Sequence, residues 1–322
     1  MKRRTFIAAS AALGFVSAFS ARAEQLTRDV RFLNGYPPGG TSDLLGRLLA
    51  NALNPIVGQK VIVEQRTGAS GFIAAEACAR AAPDGHTIFL TSMGIMTINP
   101  QIPGPKLPID PDKELTPIAG SAGVYNLLVA TPSGPFKTVP ELIDYAKRNP
   151  GKLTYASTGN GTSQHLSGEL FKRLAGVDML HVPYRGGAPA ILDIVAGRTN
   201  MMFGNMPEFL GQIRGGGLLP IAFGGTKASP LFPNLPLIST WLPEFKIANW
   251  FGVVGPAGLS RDWVTYWNGA LNAAMREPKF VQLMADSGME ILYGSPEDFK
   301  AMIVADQKRW GEVIRGAGIR AD

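Results

Sequence analysis

Short apolar runs alternate with longer amphipathic stretches through most of the chain. The apolar residues 30–33, for example, are followed by Leu45 and Leu49, which recur on one face of a helix. Continuous apolar runs predict buried strands and the 3.6-residue spacing predicts helices, so strands and helices are expected to alternate. This order is typical of an α/β fold with mainly parallel sheets.

Three glycine-rich loops stand where a predicted strand passes into a predicted helix. They are Tyr36-Pro37-Pro38-Gly39-Gly40-Thr41-Ser42-Asp43, Thr67-Gly68-Ala69-Ser70-Gly71 and Ser157-Thr158-Gly159-Asn160-Gly161-Thr162-Ser163. Backbone N–H groups at a helix start lack partners and the helix dipole is positive there, so each loop aims donors at one position. Converging loops of this kind favour a site for a carboxylate or phosphate. None has the spacing of a nucleotide phosphate loop or of a dinucleotide fingerprint, which argues against nucleotide chemistry.

Two irregular, proline-rich segments divide the chain. Residues 99–123 lead into an apolar strand at 124–130. Residues 225–243 follow another apolar strand at 218–223. Paired crossings of this kind predict one lobe inserted into another, with two hinge strands near positions 127 and 225. The predicted lobes are residues 24–126 plus 226–322, and residues 127–225.

Residues 1–23 have the three parts of an export signal. Lys2-Arg3-Arg4 is a basic start, residues 6–19 form a short apolar stretch, and Ala21-Arg22-Ala23 is a small-residue cleavage site. The apolar stretch is too short and too rich in alanine and serine for a transmembrane helix. Cleavage after Ala23 and a periplasmic location are therefore expected. Arg3-Arg4-Thr5-Phe6-Ile7 also loosely fits a twin-arginine signal, although paired arginines are common in ordinary export signals.

Removing this signal changes what the charge of the chain implies. Residues 1–23 hold four basic residues and no acidic one, so the net charge falls from +6 to about +2. No cluster of Lys and Arg interleaved with aromatic residues follows, which excludes nucleic-acid binding. A single cysteine, Cys78, rules out an intramolecular disulfide, and its alanine-rich helical surroundings suit a buried side chain. An exported chain of this size is expected to be a monomer.

Residues suited to catalysis or metal binding are few. His86, His165 and His181 are far apart and have no metal-ligand spacing with Cys or acidic residues, so no metal site and no cofactor are expected. One enzymatic alternative is a periplasmic serine hydrolase that pairs Ser163 or Ser157 with His165. The chain has no Gly-x-Ser-x-Gly motif, and a serine and a histidine in one early helical turn do not readily face each other. A His165 that bonds to the neighbouring loop, in a protein that is not an enzyme, is the preferred interpretation.

The stretch from His181 to Pro189 is also rich in polar and aromatic residues. Tyr184 and Arg185 follow a predicted strand, and open α/β sheets place ligands at the carboxyl ends of their strands. These two residues either contact a ligand or form an ordinary turn with a solvated arginine. Trp250-Phe251 is expected in the core or in a cleft wall.

Taken together, these motifs resemble the Bug family of periplasmic solute-binding receptors, which serve tripartite tricarboxylate transporters. The shared motifs are Tyr36-Pro37-Pro38-Gly39-Gly40-x-x-Asp43 with Arg47, Val61-x-Val63-Glu64-x-x-x-Gly68-Ala69-x-Gly71, Pro83-Asp84-Gly85-His86-Thr87, Tyr155-x-Ser157-x-Gly159-x-Gly161-x-x-x-His165-Leu166, His181-Val182-Pro183-Tyr184-Arg185-Gly186-x-Ala188-Pro189, Trp250-Phe251-Gly252 and Pro256-Ala257-Gly258. The resemblance covers essentially the whole mature chain. It implies a two-lobed periplasmic binding protein, type II-like, that closes like a Venus flytrap on a small carboxylate. It also implies delivery of that ligand to integral membrane transporter subunits.

The resemblance further implies which residues hold the ligand. In this family the first two loops hold a carboxylate through N–H groups, hydroxyls and waters, and the Ser/Gly loop of the second lobe grips the other end. Carried over to this sequence, the ligand-binding residues are Tyr36, Gly39, Thr41, Ser42, Ala69, Ser157, Thr162 and Ser163, with Tyr184, Arg185 and Asn205 as further candidates. Two departures, Gln65-Arg66-Thr67 for the usual Asn-Arg-Pro and Thr199-Asn200 for a frequent Val/Ile-Asp pair, leave the ligand open. Dicarboxylic amino acids, citrate-like acids and aromatic carboxylates all fit, and a receptor that feeds a sensor kinase would use the same binding physics.

Overall fold

The computed structural model describes residues 25–104 and 106–319, and the predicted export signal lies outside these residues. The strands are β1 (Val30–Asn34), β2 (Val61–Gln65), β3 (Thr87–Ser92), β4 (Leu115–Ala130), β5 (Thr154–Ser157), β6 (Leu180–Pro183), β7 (Met201–Asn205), β8 (Leu219–Phe223), β9 (Ala248–Pro256) and β10 (Met289–Ile291). The α-helices are α1 (Thr41–Val57), α2 (Phe72–Ala79), α3 (Pro111–Glu114), α4 (Val139–Arg148), α5 (Ser163–Ala175), α6 (Gly187–Val195), α7 (Met206–Arg214), α8 (Arg261–Arg276), α9 (Pro278–Asp286) and α10 (Pro296–Ala317). Within the described ranges, no helix has the length and apolar character needed to cross a membrane.

All of these strands join one twisted sheet, whose main path runs β2-β1-β3-β9-β4-β7-β5-β6. Strands β8 and β10 lie off this path, and both pair with β4. The first lobe contains β1, β2, β3 and β9, and the second lobe contains β5 to β8. Strand β4 serves both lobes, because it pairs with β9 through Tyr125 and with β7 from Asn126 onwards.

Strand β4 differs from the sequence prediction in its length and its direction. The sequence predicts irregular chain over residues 99–123, whereas β4 begins at Leu115. Its ladder with β9 shifts register after Pro117 and after Gly120, and both residue types are ordinarily signals of a loop. β4 is also antiparallel to β7, β8 and β9, so the sheet is mixed rather than mainly parallel. The predicted lobe boundary at residue 126 falls inside this strand, and the exact residue boundaries stay a prediction.

Helices α1 and α5 show why the glycine-rich loops become helix starts. Helix α1 buries Leu45, Leu49 and Leu53 along one face and ends at Gly58, whose φ of 68° is left-handed and suits glycine. Helix α5 begins at the threonine cap Thr162, whose hydroxyl accepts the N–H of His165. Packing against the sheet then places both helix starts where the two lobes face each other.

Three apolar clusters hold these layers together. One lies in the first lobe around Phe32 and Trp267, and another lies in the second lobe around Phe209. The third spans both lobes, since it joins Phe89 of β3 to Phe171 of α5. Fully burying one such aromatic side chain contributes about 1.5–3 kcal/mol, so the two lobes stabilise each other.

The loops that follow β1, β3, β5, β6 and β7 meet in the gap between the lobes. Parallel strands end at the same edge of a sheet, which brings their carboxyl ends together. In each lobe, the fold thus places the glycine-rich loops on the side that faces the other lobe.

Candidate functional site

A cavity lies where these loops meet, and we call it the inner cavity. It encloses about 500 Å³ of space, part of which is open to solvent. Both lobes contribute to its lining, which consists of Tyr36, Pro37, Gly40, Thr41, Ser42, Ser92, Gly94, Thr158, Thr162, Ser163, Gln164, Gly186, Gly187, Asn205, Glu208, Asn249 and Phe251.

Four helices begin at the inner cavity: α1 at Thr41, α5 at Ser163, α6 at Gly187 and α7 directly after Asn205. The first N–H groups of a helix have no acceptor within the helix. Each helix start also behaves as roughly half a positive charge. The inner cavity therefore offers hydrogen-bond donors and positive potential to an anion without a Lys or Arg side chain in the described lining.

The start of α5 shows which donors are free. The N–H of Thr162 donates to the carbonyl of Gly159, and the N–H of His165 donates to the hydroxyl of Thr162 at 3.4 Å. The N–H groups of Ser163 and Gln164 are left without an acceptor among the described residues. These two donors lie side by side, as a bound carboxylate requires.

A carboxylate of the protein itself occupies the start of α1. Oε1 of Glu208, in the first turn of α7, accepts the Thr41 hydroxyl at 2.8 Å and the Thr41 N–H at 3.3 Å. The side-chain amide of Asn205 donates to the same oxygen at 3.3 Å. Thr41 belongs to the first lobe and Glu208 to the second, so these hydrogen bonds join the lobes across the inner cavity.

The second carboxylate oxygen of Glu208, Oε2, is buried and has no hydrogen-bond partner among the described residues. It lies against Gly187, where an added Cβ would come within 2.6 Å of it. Burial raises the pKa of Glu208, although the hydrogen bonds from Thr41 and Asn205 act in the opposite direction. In the described lining of the inner cavity, every other side chain is uncharged.

Asn205 and Asn249 connect Glu208 to the strands that cross between the lobes. The side-chain amide of Asn249 donates to Oδ1 of Asn205 at 2.7 Å, and Asn249 accepts the N–H of Trp250 at 2.9 Å. Asn249 stands opposite Val124 in the ladder between β9 and β4. A chain of hydrogen bonds therefore runs from this crossing to the carboxylate in the cavity.

The first glycine-rich loop is held in place by two polar side chains. Oδ1 of Asn34 accepts the N–H of Tyr36 at 3.2 Å and the hydroxyl of Ser42. Oδ2 of Asp43 accepts the N–H of Gly39 at 3.0 Å. These bonds fix the loop before a ligand arrives, and they use the N–H of Gly39 within the loop itself.

A larger cavity of about 1110 Å³ adjoins the inner one, and we call it the outer cavity. The two share Tyr36, Pro37, Thr158 and Gly186 in their lining. Residues 67–71 of the second glycine-rich loop form one wall of the outer cavity, and Tyr184 and Arg185 lie in its lining. Its lining therefore continues that of the inner cavity.

The side chains of Tyr184 and Arg185 are placed differently. The Tyr184 hydroxyl donates to Oδ2 of Asp193 at 2.8 Å and also bonds to the hydroxyl of Thr199 at 2.7 Å. Arg185 is exposed to solvent. Tyr184 is therefore fixed within the second lobe, and Thr199, which departs from the family pattern, supplies one of its partners.

Two further contacts hold the lobes together beside the cavities. The Ser70 hydroxyl donates to the carbonyl of Asn160 at 2.7 Å, and the Asn99 side-chain amide donates to the carbonyl of Gly161 at 2.9 Å. Ser70 has a left-handed φ of 52°, which costs a non-glycine residue roughly 1–2 kcal/mol. The bonds across the gap show that the structure is the closed form.

The serine and histidine residues of the second lobe form a separate cluster. Ser157 is fully buried, and its Oγ lies 2.6 Å from Nε2 of His181. The ring of His181 stacks on that of His165 at 4.3 Å between centroids. His165 Nδ1 accepts the N–H of Gly161, so it bonds to the neighbouring loop. This geometry does not support the hydrolase alternative: Ser163 lines the inner cavity, but neither Ser157 nor the proposed base His165 lines either cavity.

Comparison with known proteins identifies the family. A sequence model described as "Tripartite tricarboxylate transporter family receptor" matches residues 45–319. The chain belongs to this family. Its members are solute-binding receptors rather than enzymes, and the resemblance predicted from the motifs is confirmed.

Individual members of the family are similar over almost the whole chain. The receptor is 30% identical to Protein BugT of Bordetella pertussis, over 91% of this chain and 90% of BugT. The solved structure of R. palustris Rpa4515 with adipate has a TM-score of 0.88 at 34% identity, covering 91% of this chain and 98% of that one. MatC from Rhodopseudomonas palustris with bound malate has a TM-score of 0.84 at 27% identity, covering 89% and 99%. The two-lobed periplasmic binding protein fold is thereby confirmed.

The closed receptor brings most of the predicted ligand residues together. Those in the lining of the inner cavity are Tyr36, Thr41, Ser42, Thr162, Ser163 and Asn205. Those in the lining of the outer cavity are Ala69, Tyr184 and Arg185, beside Tyr36 again. Gly39 and Ser157 line neither cavity, because the N–H of Gly39 bonds to Asp43 and the hydroxyl of Ser157 bonds to His181.

Sequence reasoning missed several residues of the inner cavity, above all Glu208, Gly187, Ser92 and Asn249. Glu208 had a signal, since an acidic residue in the first turn of a helix that follows a strand end points toward the cleft edge. Ser92 and Asn249 had none, because nothing in their local sequence separates them from other strand residues. Trp250 lies in the core, where its indole N–H donates to Asp306 at 2.6 Å, while Phe251 lines the inner cavity.

Proposed function

We propose that this receptor binds a small carboxylate in the inner cavity and delivers it to the membrane subunits of a tripartite tricarboxylate-type transporter. The observation that carries the proposal is the meeting of helix starts from both lobes in one cavity between them. Donors fixed in this way bind an anion without rearrangement of the backbone. Each charge-assisted hydrogen bond to a carboxylate contributes roughly 1.5–3 kcal/mol.

The known relatives support the carboxylate class. Rpa4515 was solved with adipate and MatC with malate, and both share the fold over most of this chain. We propose that Tyr36, Thr41, Ser42, Thr162, Ser163 and Asn205 surround the ligand, with Ser163 and Gln164 donating N–H groups to a carboxylate. Ala69, Tyr184 and Arg185 would line the entrance.

The proposal also includes the export, oligomeric state and lobe movement of the receptor. The chain would be exported, cleaved after Ala23 and released into the periplasm as a monomer. Its lobes, residues 24–126 plus 226–322 and residues 127–225, would open and close about the two crossings. Closure joins surfaces of both lobes, which gives a membrane partner a means of distinguishing a loaded receptor from an empty one.

The first test is ligand binding by the mature chain, residues 24–322, in thermal-shift and calorimetric titrations. The panel holds mono-, di- and tricarboxylates, including adipate and malate, with the uncharged amides of the same acids as controls. A ligand at one hundred times its dissociation constant stabilises the folded state by about 2.7 kcal/mol. We expect stabilisation by carboxylates and none by the amides. If no carboxylate shifts a preparation that has been unfolded and refolded to remove carried ligand, the proposed function is wrong.

Two leucine substitutions test the location of the site. Gly40→Leu places a side chain in the inner cavity, and an added Cβ there has no neighbour closer than 3.9 Å. Gly211→Leu is the matched control, because an added Cβ at that exposed position of α7 meets nothing within 4 Å. We expect Gly40→Leu to weaken binding at least tenfold and Gly211→Leu to leave it unchanged. Equal affinities in the two variants would move the site away from the inner cavity.

A further inference from the structure

Glu208 lines the inner cavity, and its carboxylate contains an unsatisfied hydrogen-bond acceptor. Its Oε1 is held by Thr41 and Asn205, so the position of the group is fixed. Its Oε2 is buried and has no partner among the described residues. A buried polar atom without a partner destabilises the folded protein, and more so when it is charged. An oxygen in this state inside a ligand cavity calls for a donor on the ligand.

The donors and acceptors of the cavity are segregated. The free N–H groups of Ser163 and Gln164 lie at the start of α5, whereas Oε2 of Glu208 lies against Gly187 at the start of α6. One end of a ligand therefore meets donors, and another part of it meets an acceptor. A ligand that carries only carboxylates fits the first environment and not the second.

The charges in the cavity favour the same conclusion. The four helix starts of α1, α5, α6 and α7 amount to roughly two positive charges. Glu208 and one ligand carboxylate supply two negative charges, which nearly balance them. A second ligand carboxylate beside Oε2 would face the charge of Glu208 with no Lys or Arg in the described lining to offset it. A protonated amine at that position would satisfy the oxygen with a charge-assisted hydrogen bond.

We propose that Glu208 selects ligands that carry a protonated amine beside a carboxylate, so that the receptor takes an amino acid or a related zwitterion. The amine would donate to Oε2 of Glu208 while the carboxylate accepts from Ser163 and Gln164. This inference rests on the proposed function of the inner cavity as a carboxylate site, and it narrows the substrate class. Glu208 is then a specificity-determining residue that also links the lobes through Thr41.

The test uses pairs of acids that differ only in the amine: propionate with alanine, succinate with aspartate, and glutarate with glutamate. Their dissociation constants are measured by calorimetry on the refolded mature chain at pH 7. We expect the amine-bearing member of at least one pair to bind ten times more tightly or better. In Glu208→Gln, which keeps the size of the side chain and removes its charge, that preference should fall at least tenfold.

Two further variants separate this role from a structural one. Glu208→Asp keeps the charge and should retain part of the amine preference. Glu312→Gln is the matched control, since it makes the same chemical change at an exposed position of α10 and should leave all affinities unchanged. The melting temperature of each unliganded variant establishes that it is folded.

The outcomes distinguish this inference from the proposed function. Tight binding of succinate or glutarate without an amine preference would overturn the selection by Glu208 and leave the carboxylate receptor intact. An amine preference that persists in Glu208→Gln would also overturn it, because another group would then have to hold the amine. Failure of every acid in the panel to bind would overturn both.

Discussion

The second lobe contains two buried polar sites that differ in one respect. Ser157 ends β5, and its hydroxyl bonds to His181 at 2.6 Å and to the backbone of Gly159 at 3.1 and 3.2 Å. Glu208 lies just beyond the end of β7, and one of its two carboxylate oxygens has no partner among the described residues. Both sites contain residue types that are often catalytic or ligand-binding. Their hydrogen bonds, rather than their residue types, separate the structural site from the functional one.

The contrast has an energetic meaning. A satisfied buried hydrogen bond contributes about 1 kcal/mol to stability, whereas an unsatisfied buried group reduces it. The Ser157 cluster therefore belongs to the stability of the empty receptor. The Glu208 site reduces that stability until a ligand supplies a hydrogen-bond donor to Oε2.

The largest effect on stability is expected from His181→Ala. The change removes a ring that stacks on His165 and Tyr155 and takes the His181 partner from the buried Ser157 hydroxyl. We expect the free energy of unfolding to fall by roughly 2 kcal/mol, with ligand affinity changed less than about threefold. Urea unfolding and calorimetry measure the two quantities. Leu180→Ala, at the neighbouring exposed position, should change both quantities very little. A large loss of affinity in His181→Ala would contradict a purely structural role for the Ser157 cluster.

The two sites should respond to pH in opposite directions. Burial, helped by the charge of His165, lowers the pKa of His181 from its ordinary 6.5 to about 4. The unfolded state then binds a proton more readily, so this part of the stability is complete above pH 6.5 and is lost as pH falls toward 4. Burial raises the pKa of Glu208, so its part is present below its ordinary pKa of 4.5 and is lost as pH rises through the folded-state pKa.

Substitutions test which residue causes each change of stability with pH. His181→Asn should remove roughly 1–2 kcal/mol of the stability loss on the acid side, after allowance for screening of a ring that solvent partly reaches. Glu208→Gln should remove the loss on the alkaline side of pH 4.5. Unfolding by urea at intervals between pH 4 and pH 8 measures both profiles. Identical profiles in wild type and His181→Asn would show that the buried imidazole is not the source of the acid slope.

A smaller effect is expected at the contact between the lobes. Thr41→Val removes the hydroxyl that donates to Glu208 at 2.8 Å and leaves the N–H donor in place. We expect a loss of about 1 kcal/mol in the free energy of unfolding. In a Glu208→Ala background the same change should cost almost nothing, since the acceptor is absent. A double-mutant cycle with no coupling between the two positions would contradict the hydrogen bond across the cavity.

The smallest effect on ligand affinity is expected at the entrance. Tyr184→Phe removes a hydroxyl whose partners, Asp193 and Thr199, both belong to the second lobe. Affinity should change less than twofold, while stability falls by roughly 0.5–1 kcal/mol. Tyr36→Phe is the informative comparison, because Tyr36 lines both cavities and its hydroxyl donates to the carbonyl of Ser70. A larger loss of affinity in Tyr184→Phe than in Tyr36→Phe would reverse this ranking.

The sequence predicted the parts of the receptor that depend on local pattern. Glycine-rich loops between strands and helices identified the helix starts at Thr41 and Ser163, because the glycine and hydroxyl residues that form such a loop are consecutive in the sequence. The amino-terminal half of β4 was missed, since Pro117 and Gly120 resemble a loop until the partner strand is known. Pairing across the sheet, which a single sequence does not show, overrides the local preference there.

The same limit explains what was missed in the cavity. Ser157 was predicted to face the ligand from its place in the third loop, but a histidine 24 positions later binds its hydroxyl. Glu208 was overlooked because its partner Thr41 lies 167 positions away. Whether a polar side chain is satisfied depends on such distant partners, so it becomes visible only in the folded chain.

The apolar cluster that joins Phe89 to Phe171 makes the receptor cooperative as a whole. Strands and loops divide the chain into two lobes, yet neither lobe encloses its own core completely. Each lobe expressed alone would expose aromatic surface to water and would tend to aggregate. A chimaera that takes one lobe from another family member would have to match this shared surface, so the two halves are expected to change together in evolution rather than be exchanged.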